Sequence, residues 1–338
     1  MQLLKKVIAI FVGVMFGLSL TGAIYQLTQS RVDQTKFPSP GRLYDDDGLS
    51  IHMDCRGKGS PTILMEAGLT SGSSSWSLVH DAIATTTRVC AYDRPGMDWS
   101  EPIGRVADAK EVSDRFHRLV DQSDIEGPKI LLGMSAGGVY VREYYRNHPE
   151  EIVGMILVDS SHEQQQNRLP EFVGSEIFDT MLNACRLLQP IGIIRFFGLL
   201  DQFLDSYNLD DNTREKLLAN MNQSHTCSSM YWESQSFANE IKDTNGPALL
   251  DDLPLLVLSQ GDEPAANPDL DVSLEFAIAQ RKVWNELQLE LTNLSTRGRR
   301  YIAENSGHVI QLNQPELMIE KVTEFVLELK SSHETSNP

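Results

Sequence analysis

The chain has 338 residues, a hydrophobic fraction of 41% and a formal net charge of −18 at pH 7. That length suits one α/β core carrying an insertion better than two full domains, and the apolar share is enough for a large core. So acidic a surface excludes nucleic acid, which is recognised by clustered Lys and Arg that displace phosphate counterions, and it disfavours a strongly anionic substrate.

The first predicted element stands outside the folded core. After Lys5 and Lys6, residues 7–25 carry no charge. As a helix that run is about 28 Å long, close to the hydrocarbon thickness of a bilayer. Two lysines before it and few basic residues just after it favour a cytoplasmic N-terminus, with the folded domain membrane-anchored outside the cytoplasm. A cleaved signal peptide is the alternative, with Thr21-Gly22-Ala23 as the small-residue site. The domain would then be secreted or periplasmic. Residues 1–27 are read as a transmembrane anchor or signal segment, and 28–40, with Pro38 and Pro40, as a linker.

From Gly41 short β-rich runs alternate with stretches of helical period. Strands are predicted at 50–55, 62–66, 88–92, 129–133, 154–158, 253–258 and 300–303. Several are continuous apolar runs, as in strands buried on both faces of a largely parallel sheet. Helices are predicted at 107–122, 136–147, 272–294 and 316–329. This alternation indicates an α/β, doubly wound sheet. It breaks at 161–248, which reads as a helical lid with helices near 182–188, 191–204, 212–221 and 231–241. The core is therefore expected in two parts, 41–160 and 249–330, followed by a disordered tail at 331–338.

Two motifs carry chemistry. Gly133-Met134-Ser135-Ala136-Gly137 follows the apolar run Lys-Ile-Leu-Leu and opens a helix. A sharp strand-to-helix turn would expose the Ser135 hydroxyl, with the positive end of the helix beneath it. A serine hydroxyl needs a base to become a nucleophile. Of the eight histidines, His308 alone sits in a Gly-containing turn between a predicted strand and the final helix, where it can reach the carboxyl edge of the sheet.

With these motifs, residues 41–330 resemble the α/β-hydrolase superfamily. Ile-Leu-Met-Glu-Ala-Gly at 63–68 looks like the strand before the oxyanion loop, without the common histidine. Residues 91–102 look like the family's D-x-x-G-x-G-x-S segment, with Asp98 where glycine is common. The stretch 41–68 resembles a bacterial subgroup that also carries an N-terminal hydrophobic helix. The resemblance implies an oxyanion hole from the backbone N–H groups of Ala136 and Leu69. It also implies an acid from one of two strand ends, Asp262 or Asp159. Among the four cysteines, none at metal-ligand spacing, it brings Cys55 and Cys90 onto neighbouring strands and Cys185 and Cys227 into the lid. Disulfides in those pairs and four free thiols are both open.

The apolar run 190–204 admits three readings: lid core, a bilayer contact, or the lining of an acyl pocket. In the third, Phe196, Phe197 and Trp232 bind substrate. The expected function is hydrolysis of a carboxylic ester or related acyl bond on a hydrophobic small molecule, without metal or organic cofactor. A catalytically inactive binding or scaffold protein at the membrane is the alternative.

Overall fold

The computed structural model describes residues 1–170, 174–240, 247–267 and 272–336. The chain passes through α1 (Gln2–Lys36), β1 (Arg42–Asp46), β2 (Leu49–Arg56), β3 (Thr62–Glu66), α2 (His80–Ala84), β4 (Val89–Tyr92), α3 (Ala109–Gln122), β5 (Lys129–Met134), α4 (Ala136–Asn147) and β6 (Ile152–Val158). It continues through α5 (Gln165–Arg168), α6 (Gly174–Leu188), α7 (Ile193–Phe196), α8 (Asp211–Met221), α9 (Thr226–Glu240), β7 (Leu255–Gln260), α10 (Leu274–Thr292), β8 (Gly298–Ala303), α11 (Ile310–Asn313) and α12 (Pro315–Ser336). The strands form one sheet in the order β1-β2-β4-β3-β5-β6-β7-β8. The β1/β2 and β2/β4 pairs are antiparallel and the rest parallel.

Parallel strands need cover on both faces, and alternate side chains supply it. Along β5, Ile130 and Leu132 join a cluster with Trp76, Ile83, Met318 and Phe325, whereas Leu131 joins one with Phe116, Tyr144 and Leu291. Thus α2 and α12 pack on one face and α3, α4 and α10 on the other. Capping side chains set two helix starts. Asp108 Oδ1 accepts the Glu111 N–H at 2.7 Å, and Ser273 Oγ accepts that of Phe276 at 3.1 Å. The edge strand β1 is an addition to the predicted strands. Its polar sequence has no apolar run, and its turn closes through the Gly48 N–H on Asp45 Oδ1 at 2.6 Å.

The helical insertion, α5 to α9, lies between the neighbouring strands β6 and β7. The helix expected over 191–204 is split into α7 and a 3-10 turn at Asp201–Leu204, because Gly198 between them adopts φ 60°. The helix expected to end at 241 is described to Glu240, and residue 241 lies outside the described residues. Both cysteine pairs are bonded. Cys55–Cys90 joins residues facing each other across β2 and β4, and Cys185–Cys227 ties α6 to α9.

Two expected boundaries are corrected. The linker at 28–40 is helix through Lys36, because one face of α1 packs on the insertion. There Gln26 Nε2 donates to the Asn222 carbonyl at 2.6 Å and Arg195 pairs with Asp33 at 2.6 Å. The tail at 331–338 is helical through Ser336, with 337–338 outside the described residues. Lys330 Nζ anchors the start of that last stretch on the Thr86 carbonyl at 2.8 Å. Polar side chains are as compatible with a solvent-facing helix as with a disordered tail.

Candidate active site

Ser135 sits between β5 and α4 with φ 52° and ψ −123°, a conformation that costs a side-chain-bearing residue about 1–3 kcal/mol. Surrounding bonds hold it there. Its N–H donates to the Val158 carbonyl at 3.1 Å, and its carbonyl accepts from Gly138 and Ser161, each at 2.9 Å. The turn is tight enough that a Cβ at Gly133 would lie 2.5 Å from the Gly137 carbonyl oxygen. Glycine at this position is therefore a steric requirement of the elbow.

His308 comes from the loop between β8 and α11. Its Nδ1 lies 2.6 Å from Asp159 Oδ2 and its Nε2 lies 2.9 Å from Ser135 Oγ. A carboxylate only accepts, so Nδ1 carries the proton and Nε2 is left to accept from the serine hydroxyl. Asp159 is fully buried at the end of β6 with φ 40°. Its Oδ1 accepts from the Gln260 N–H at 2.9 Å and from Trp284 Nε1 at 3.0 Å. These two bonds hold Oδ1 and so orient the carboxylate with Oδ2 toward the imidazole. Trp284 also stands edge-on to the His308 ring, with centroids 5.8 Å apart. Nothing in the sequence around 284 marks it, because it reaches the site from α10 only once the sheet is assembled.

Asp262 is not joined to this chain of bonds. Its carboxylate pairs with Arg281 at 2.7 Å and its N–H is held by the Ser306 carbonyl at 3.1 Å. Coming directly after Gly261 at the end of β7, it gives Oδ1 to Arg281 of α10 and places Oδ2 beside Gly307, with no bond to His308 among the described residues. The structure thus brings together Ser135, His308 and Asp159, and leaves Asp262 outside them.

The loop after β3 lies against the elbow. A Cβ at Gly68 would lie 2.6 Å from Met134 Sδ and 3.4 Å from Ser135 Cβ, so a larger residue here would have to displace the Met134 side chain. Arg94 orders the loop. It donates to the carbonyls of Ala67 at 2.8 Å, Gly68 at 2.6 Å and Ser71 at 3.1 Å. Its guanidinium is ion-paired with Glu66 and with Glu233 of α9, and Glu233 Oε2 accepts the Thr70 N–H at 2.5 Å. Since the Gly68 carbonyl points to Arg94, the Leu69 N–H of the same trans peptide points the opposite way. Neither that N–H nor the Ala136 N–H meets an acceptor among the described residues. Burial pushes the Glu66 carboxyl up to about 7, against the pull of Arg94. The Arg94–Glu233 contact is invisible in sequence, since it joins residues from the core and the insertion.

The expected substrate residues are displaced from this centre. Phe196 and Phe197 are 71% and 66% exposed at the edge of the insertion, where Phe196 meets Tyr25 of α1. Trp232 packs on Tyr231 and lies near the Arg186 guanidinium, and it faces a narrow void beside Arg94 and Tyr140. Hydrophobicity alone does not say which face of the insertion each of these residues presents. A cavity of about 280 Å³ does lie between the loop after β3 and the insertion, lined by Thr70, Met134, Phe203, Leu204, Met230 and Val309. A second cleft, about 580 Å³, opens on the other side of His308 along Gln260, Asp262, Arg281 and Trp284.

A sheet with a strand-to-helix elbow bearing a serine, and a histidine on the loop after the last strand, defines a hydrolase architecture. Residues 63–321 match the profile of the alpha/beta hydrolase family, and the chain belongs to that family. An uncharacterized protein of Schizosaccharomyces pombe is 26% identical over 85% of this chain and 56% of its own. The chain spans about half the length of the curated relatives it matches. Among solved structures, a thermophilic esterase from Thermogutta terrifontis superposes with TM-score 0.60 at 17% identity, covering 85% of this chain and 97% of its own. The Cif epoxide hydrolase from Acinetobacter nosocomialis gives 0.68 at 14%, covering 90% and 96%. At these identities the structures share the fold with this chain.

Proposed function

We propose that the chain is a serine hydrolase that cleaves a carboxylic ester or related acyl bond through an acyl-enzyme. The observation that carries this reading is the continuous chain of hydrogen bonds from Asp159 through His308 to Ser135. Ser135 Oγ attacks the carbonyl carbon as its proton passes to His308 Nε2. The charge that develops on the carbonyl oxygen is met by the N–H groups of Leu69 and Ala136, at the positive end of α4. Collapse breaks the bond to the leaving oxygen, which takes the proton from Nε2. Water then repeats the sequence and frees the acid. Asp159 keeps the imidazole in the accepting tautomer and balances its transient charge.

Epoxide opening by this fold calls for a carboxylate nucleophile at the elbow, and the residue there is Ser135. That favours acyl transfer over the chemistry of the epoxide hydrolase neighbours. The α1 segment serves as a membrane anchor, with the hydrolase outside the cytoplasm. Lys5 and Lys6 before the apolar run and the two disulfides support that placement. The test is labelling with a fluorophosphonate. The parent is expected to form one covalent adduct and Ser135→Ala none. A folded parent that stays unlabelled and inactive on p-nitrophenyl esters would leave a binding protein on the hydrolase fold.

A further inference from the structure

We infer that the apolar edge of the insertion, Phe196, Phe197 and Leu199, rests in the bilayer spanned by α1, so that the site takes its ester from the membrane rather than from water. The claim about substrate rests on the hydrolase reading above; the claim about docking does not.

The argument begins with heights along α1. Its apolar run has a mean hydropathy of 2.3 over 18 residues and none of that window is buried in the protein. The run ends at Tyr25, where the polar, insertion-facing part begins. Contacts with the insertion start at the same level. Gly22 lies so close to Ile191 that a Cβ there would come 2.1 Å from its carbonyl oxygen, and Tyr25 meets Phe196 edge-on at 6.5 Å. Above them, Gln26 is bonded to the Asn222 carbonyl and Asp33 to Arg195. The insertion is thereby fixed along the part of α1 that leaves the membrane. Its lowest residues sit at the boundary layer, where aromatic side chains concentrate.

What those residues present is apolar. Phe196, Phe197, Leu199 and Phe203 are 71%, 66%, 44% and 47% exposed. Arg195 is paired with Asp33 and Lys36 with Glu215, which leaves Arg31 of α1 as the exposed cation above the apolar run. With one exposed arginine against four exposed apolar side chains, the surface offers mainly burial of hydrocarbon. Phe203 connects this edge to the reacting groups. It lines the cavity that also holds Met134 and Val309, the chain neighbours of Ser135 and His308. An acyl chain leaving the bilayer at Phe203 would pass along that wall toward the nucleophile.

The full-length chain is reconstituted in phosphatidylcholine vesicles, and Phe197→Trp is compared with the parent, with and without dibrominated phosphatidylcholine. The emission added by the new tryptophan is expected to be quenched by the bromines, and equally at every protein-to-lipid ratio. Unquenched added emission overturns the docking, and shielding that grows with protein density alone assigns the patch to a second copy. In the second arm, Phe196→Asp with Phe197→Asp is expected to lower the rate on a vesicle-embedded long-chain ester about ten-fold. The rate on p-nitrophenyl acetate should be unchanged, which also reports that the variant is folded. Equal rates of parent and variant on the embedded ester overturn the membrane route. A parent inactive on both esters defeats the hydrolase reading instead, and the quenching result still decides the docking.

Discussion

Position 159 decides how the proposed chemistry is distributed. Asp159→Asn is expected to lower kcat about 10⁴-fold by reversing the imidazole tautomer. Asp262→Asn should leave kcat near the parent value, and steady-state kinetics on a p-nitrophenyl ester compares the two. Ser135 and His308 were legible because each lies in a short motif whose neighbours in sequence are its neighbours in space. The acid was not. Two strand ends offered an aspartate, and the choice depends on groups far along the chain: Trp284 and the Gln260 N–H on one, Arg281 on the other. Asp98, where the family commonly has glycine, keeps a left-handed φ of 40° and uses its carboxylate to hold the Ser74 N–H at 2.7 Å. At Glu233, truncation to alanine would remove one of the two carboxylates paired with buried Arg94 and leave the Thr70 N–H without its acceptor. A loss of about 1.5–3 kcal/mol in denaturant unfolding is the expected result.

Elements were legible where the chain pattern itself limits them. Apolar runs such as 130–132 and 155–158 could only be strands covered on both faces, and glycines fixed the elbow. At Gly138 an added Cβ would lie 1.8 Å from Ser160 Oγ, so Gly138→Ala is expected to lower stability by about 1–3 kcal/mol, read as a drop in Tm. The polar end of α1 was illegible for the opposite reason. A polar run reads as linker until the surface that orders it is known, and that surface belongs to residues 191–223. The disulfide between α6 and α9 closes a separation of 42 residues. Replacing both cysteines by serine should cost about 4 kcal/mol of stability by the loop-closure argument, measured by thermal unfolding.

For the whole molecule, buried carboxyls set a pH dependence. Burial raises Glu66 to about 7 from 4.5. Burial and the neighbouring Asp93 raise Asp98 to about 7 from 3.8. Between those limits the folded chain holds protons that the unfolded chain has released. Stability contributed by these groups is full below the unfolded values and is lost as pH rises through about 7. Thermal midpoints followed across that interval should decline, and Glu66→Gln should flatten the decline. A further consequence follows from Asp159 ending β6, the strand beside β5. The segment leaving β7 has no reacting carboxylate to hold in place, yet Asp262, Glu263 and Pro264 form one wall of the larger cleft beside His308. Under the proposed reaction, side-chain changes at 262–264 are therefore expected to reshape that cleft while leaving the bonds among Asp159, His308 and Ser135 as they are.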